Sequence, residues 1–178
     1  MSSEEKIKSA RELCEANAWE DLLIFTRDWH AENSDDAKAL FYRGVGLAAL
    51  GRFVEAETIY RLALEKDPRD FKAWNNLAGI FLEQLNRPTD AIRCMEQAMN
   101  LEPANKLGWS NLASMVGQLG RHEKALEFAE RAIALDAQMV EAHLHRAAAA
   151  KALGKTEIVK EVSETLTAID AEKFCRVR

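Results

Sequence analysis

The sequence predicts an all-α protein built as a stacked array of antiparallel helix pairs. Three observations carry this expectation. A unit of about 34 residues recurs along nearly the whole chain. Within each unit, apolar and small residues return at offsets of three, four and seven, which places them on one face of a helix. A glycine followed by a basic residue punctuates the units at Gly51-Arg52, Gly120-Arg121 and Gly154-Lys155.

Four units align as Ala37–Asp70, Phe71–Asn105, Lys106–Met139 and Val140–Lys173, and a weaker copy, Ser3–Asp36, precedes them. The first helix of each carries a bulky residue at its fourth position (Leu40, Trp74, Trp109, His143) and a small one at its eighth (Gly44, Ala78, Ala113, Ala147). A small residue one turn beyond a large one lets a second helix approach closely. The glycine that follows supplies the left-handed backbone that ends a helix. The second helices carry Ala56, Tyr60 and Ala63, then Ala91, Met95 and Ala98, then Ala125, Ala129 and Ala132. Asp67-Pro68 and Glu102-Pro103 close two units, since proline cannot continue a helix. The third unit is one residue longer near Asn86-Arg87-Pro88, which predicts a longer turn with Pro88 at the first helical position. Trp29 and Val159 stand where sister units have small residues, and the first pair is expected to pack differently.

The stretches Trp74-Asn75-Asn76-Leu77-Ala78, Trp109-Ser110-Asn111-Leu112-Ala113 and Gly51-Arg52-Phe53-Val54-Glu55-Ala56 resemble the tetratricopeptide repeat family. The resemblance is strong over residues 37–139, weaker over 140–173 and weakest over 3–36, where Asn17-Ala18-Trp19-Glu20-Asp21-Leu22 keeps the turn signature. It implies a right-handed α-solenoid of about five units filling residues 1–178 as a single domain, with the first unit divergent and residues 170–178 acting as a C-terminal cap or tail. It also implies that first-helix positions 2, 5, 6, 9, 12 and 13 line a concave groove, and a helical wheel places these positions away from the packed stripe.

The sixth positions include Tyr42, Asn76, Asn111 and His145, all hydrogen-bond donors. Packed helices lie about 8–10 Å apart and an extended chain advances about 3.3 Å per residue, so such rungs meet a bound peptide about every third residue. Asn75, Ser110 and Leu144 accompany Phe41 at the fifth positions, and Val45, Gly79 and Ser114 lie at the ninth. Phe41, Val45, Leu82, Leu107 and Leu144 are apolar at positions expected to face the groove, and Lys38 and Lys72 add positive charge opposed by Glu83. The two-carboxylate clamp by which some members of the family hold chaperone tails is not reproduced: one frame keeps only Asn76, another only Lys72.

Bulk properties narrow the function. Helices of about 14 residues are marginal alone in water, so stability must come from stacking of neighbours. A formal net charge of −5 among 178 residues disfavours nucleic acid as a partner. No run of about 18 apolar residues is present, which argues against membrane insertion. The three widely spaced cysteines, Cys14, Cys94 and Cys175, suggest free thiols, and with the polar start of the chain they predict a cytoplasmic protein. His143 and His145 do not have the spacing of a helical zinc pair. No glycine-rich phosphate loop or nucleophile motif occurs. The expectation is therefore a non-enzymatic protein without cofactors or metal. Its concave groove would bind a peptide or helical segment of a partner, as an adaptor or scaffold. The alternatives are self-assembly into homo-oligomers through the convex face or array ends, and a non-catalytic subunit of a larger complex.

Overall fold

The structure, a computed structural model, describes the backbone of residues 1–176 and side chains through Asp170; the side chains of the tail expected to cap the array, Phe174 and Val177 among them, lie outside the described residues. Ten α-helices and one π-helical turn follow one another, with no strand among the described residues. They are α1 (Ser3–Glu15), α2 (Trp19–Glu32), α3 (Ala37–Ala49), α4 (Phe53–Lys66), α5 (Phe71–Gly79), a π turn (Ile80–Gln84), α6 (Pro88–Leu101), α7 (Lys106–Gln118), α8 (His122–Leu135), α9 (Val140–Ala152) and α10 (Thr156–Arg176). The odd-numbered helices begin at the first residue of each sequence unit.

Each turn within a pair is closed the same way. Asn17, Gly51, Asn86, Gly120 and Gly154 have positive φ, between 49° and 74°. The amide after each donates back into the helix it ends: Ala18 to Leu13, Arg52 to Leu47, Arg121 to Val116 and Lys155 to Ala150, all at 2.9 Å. This is the closure expected of a left-handed cap. In the third pair the bond runs from Arg87 to Phe81 at 2.7 Å, one residue further back, and Leu85 donates to Ile80 in the π pattern. The extra residue of the third unit therefore sits inside the last turn of its first helix. The longer turn expected from sequence is not formed, because Asn86 and Arg87 preserve the standard cap and the helix widens instead. Pro88 does begin α6.

The chain divides into two compact units, Met1–Ala98 and Met99–Arg178. In the first, α2 packs on α3, α3 on α4 and α4 on α5. Trp29 is buried between α2 and α3, stacked on Tyr42 with ring centroids 6.5 Å apart, and its indole donates to Asp36 at 2.9 Å. The divergent first pair thus joins its neighbour through an indole where the next three pairs have alanine, Ala63, Ala98 and Ala132. Gly44 lets α3 settle against Tyr60, whose ring atoms lie 2.8–2.9 Å from where a Cβ would stand.

In the second unit α7 packs on α8 and α9, α8 on α9, and α9 on α10. Trp109 lies against Phe128, 5.5 Å between centroids, under the Arg131 guanidinium. Its indole donates to the Pro103 carbonyl at 2.8 Å, as Trp74 in the first unit donates to Pro68 at 2.9 Å. His143 fills the same role: buried, with Nε2 2.9 Å from the Ala137 carbonyl. A carbonyl only accepts, so Nε2 carries the proton. The packing role expected of His143 is thereby realised.

Candidate functional site

Among the described residues each unit holds an open cavity at the same place in the repeat. In the first unit a cavity of about 320 Å³ lies between α3 and α5 above the start of α4; Val45, Ala48, Phe53, Tyr60, Asn75, Asn76, Gly79, Ile80, Glu83 and Gln84 line it. In the second a cavity of about 240 Å³ lies between α7 and α9 above the start of α8; Ser114, Gly117, Gln118, His122, His145, Ala148 and Ala149 are among its walls. Residue for residue the correspondence is Val45 with Ser114, Ala48 with Gly117, Phe53 with His122, Asn76 with His145, Gly79 with Ala148 and Ile80 with Ala149. The gap arises because small residues, Gly79 in the first cavity and Ser114 and Ala148 in the second, stand at the ninth position of first helices and leave space above their backbones. Nothing meets a Cβ added at Gly79 within 4 Å.

Of the groove residues expected from sequence, Val45, Asn75, Asn76 and Gly79 meet in the first cavity, and Ser114 and His145 in the second. Lys72, Leu82, Leu107, Asn111 and Leu144 are exposed; Leu107 is 61% and Leu144 52% accessible. Four assignments are corrected. Phe41, 8% exposed, is core: its ring meets Tyr42 edge-on at 5.2 Å and Tyr60 at 6.0 Å. Tyr42 is buried too, because α1 reaches over it and Arg11 Nε donates to its hydroxyl at 3.2 Å. Ser110, 2% exposed, is enclosed where α7 is flanked by α8 and α9. Lys38 does not add an unpaired charge to the groove, since its ammonium is paired with Asp70 at 2.7 Å.

Asn76 has two attachments. Its Nδ2 donates to the Tyr60 hydroxyl at 3.1 Å, tying α5 to α4, while the same side chain faces the cavity. Burial pushes the Tyr60 phenol well above its ordinary value, so it stays protonated. Asn111 is exposed, with no side-chain hydrogen bond among the described residues. Asn76→Ala is therefore expected to cost about 1 kcal/mol in urea denaturation, the usual scale for one lost hydrogen bond. Asn111→Ala is expected to stay within about 0.5 kcal/mol of wild type, as for an ordinary surface change. In the second cavity, burial lowers the His145 imidazole from its ordinary value, which favours the neutral ring.

Sequence reasoning missed Phe53, Tyr60, Gln84 and His122. The signal was available at one of these positions: Phe53 and His122 both stand directly after the turn's basic residue, where the second helix begins beneath the gap. No cluster of three or more His, Cys, Asp or Glu side chains suited to a metal occurs among the described residues. None of the described helices is long and apolar enough to cross a membrane.

Paired helices with recurring caps and cavities define an all-α repeat protein of the solenoid class. The chain belongs to the tetratricopeptide repeat family, a family of protein–protein interaction modules: models of that repeat match residues 37–70 and 82–140, together more than half of the chain. No curated protein matches the sequence. Among solved structures, a MamA RS-1 ArsTM double mutant is 20% identical with a TM-score of 0.74, covering 94% of this chain and 96% of that one. MamA 41-end from Desulfovibrio magneticus RS-1 is 21% identical with a TM-score of 0.71, covering 96% of each chain. YrrB, described as a TPR protein with an unusual peptide-binding site, is 18% identical with a TM-score of 0.76, covering 92% of this chain and 84% of that one. At these identities the likeness establishes the fold.

Proposed function

We propose that the chain is a non-catalytic receptor for an extended or helical segment of a partner protein, held at the cavities between adjacent first helices, and that it serves as an adaptor or scaffold in complex assembly. One observation carries the reading: a cavity recurs at the same register in both units, with exposed leucines nearby on the first helices, Leu82 in one and Leu144 in the other. Concave recesses with apolar edges and a few polar groups suit side chains of a bound polypeptide. The walls belong to packed helices, so little reorganisation is needed on binding. The peptide-binding site ascribed to YrrB, a protein of like fold, fits the same reading.

The test is selection of a random peptide display library on the full chain. Leu82→Glu and Leu144→Glu are expected to lower retention of the selected peptides at least about tenfold, a change of roughly 1.4 kcal/mol. Unchanged retention by both variants overturns the proposal.

A second reading has its own support. Val54 and Leu62 are exposed two turns apart on α4, with Thr58 between them. Self-association through this face would show as a light-scattering mass that rises with concentration and falls in Val54→Glu plus Leu62→Glu. A constant monomer mass removes it.

A further inference from the structure

We infer that the cavity of the first unit is a receptor for a cationic side chain, Lys or Arg, on the partner segment. This rests on the peptide-binding reading above and gives it a chemical class. The cavity is built in two layers. Val45, Phe53 and Ile80 make apolar walls, suited to the aliphatic stem of a long basic side chain. Acceptors stand beyond them. Glu83 is the one acidic residue of the lining, which holds no Lys or Arg, and it is exposed with no ion pair among the described residues. Asn76 turns its Nδ2 toward Tyr60, which leaves its Oδ1 as an acceptor. Gln84 adds another amide carbonyl.

The π turn is the independent observation. A one-residue insertion between Phe81 and Arg87 widens the helix just where it borders the cavity, and the widened turn supplies Glu83 and Gln84 to the lining. In the second unit the end of α9 contributes only Ala149 to the cavity, with nothing from the residues after it. Counted back from the basic residue of each turn, the counterpart of Glu83 is Lys151, of opposite charge. That second cavity has no carboxylate in its walls and carries His122 and His145 instead. Two recesses of the same register are thus chemically distinct, and the anionic one draws its carboxylate from the widened turn. π turns of this kind occur frequently at functional sites.

The experiment is a ¹H–¹⁵N correlation titration of the full chain with two probes of similar stem, N-acetyl-arginine N-methylamide and N-acetyl-norleucine N-methylamide. The arginine probe is expected to shift the Asn76, Gly79 and Gln84 amides saturably and to bind about three to five times tighter than norleucine, the scale of a partly exposed ion pair. Glu83→Gln, an exposed and nearly isosteric change, is expected to abolish the difference. Equal affinity of the two probes, or an arginine preference that survives Glu83→Gln, overturns the assignment and leaves the peptide-binding reading standing. Arginine shifts confined to α7 and α9, or no saturable shift at all, also overturn it. The library selection decides the broader reading separately.

Discussion

Phe41→Glu is expected to unfold the first unit rather than to block a ligand. Phe41 sits among Tyr42, Tyr60 and the Lys38 ammonium, and little of it meets solvent. Removing a buried phenyl ring costs about 3–5 kcal/mol, and a carboxylate placed there adds a desolvation penalty of several kcal/mol that a single lysine does not remove. That total rivals the whole stability of an ordinary domain, about 5–15 kcal/mol. Far-UV circular dichroism with urea should show a large loss of cooperative unfolding. Leu82→Glu, at a site already 38% exposed, should unfold within about 1 kcal/mol of wild type. A Phe41→Glu protein that melts like wild type would return Phe41 to the ligand surface.

The second large effect concerns Tyr60 and Gly44. Tyr60 is 1% exposed, and its ring fills the space that the missing Cβ of Gly44 leaves open. Tyr60→Ala is expected to cost about 3–5 kcal/mol through the cavity it opens. Gly44→Ala brings a methyl into the Tyr60 ring, which is stiff, and is expected to cost about 1–3 kcal/mol despite the better helix propensity of alanine. The fourth unit shows the complementary solution, with Ala113 and Ala129 at the corresponding positions. The double variant Gly44→Ala plus Tyr60→Ala should therefore be more stable than the sum of the single losses predicts, with a coupling of about 0.5–3 kcal/mol. Strict additivity in the urea midpoints would show that the two sites do not share this contact.

The architecture was legible in the sequence because its causes are local and periodic. Helix starts, left-handed turn residues and small positions repeat, so each copy reinforces the others, and even Asn17 and Asn86 stand where glycine is the rule. The candidate site was legible in part. Ninth-position residues such as Val45, Gly79 and Ser114 do border the cavities, and the small ones, Gly79 and Ser114, leave the gap. Phe41, Tyr42 and Ser110 were misjudged because a helical wheel knows only its own helix. Arg11 over Tyr42 and Tyr60 beside Phe41 come from elements remote in sequence. The placement of the inserted residue was equally hidden: composition near Asn86-Arg87-Pro88 reads as a turn, while hydrogen-bond closure around Arg87 pushes the surplus backward into the helix.

That surplus has a consequence for how such a chain diversifies. Gain or loss of a single codon normally ruins a periodic scaffold, because every later contact falls out of phase. Here the wider helical turn swallows the added length, and α6 still starts on the expected proline. The wider turn borders one recess while α6 keeps its start, so under the proposed peptide-binding reading length itself becomes a means of tuning selectivity, separate from the exchange of one side chain for another.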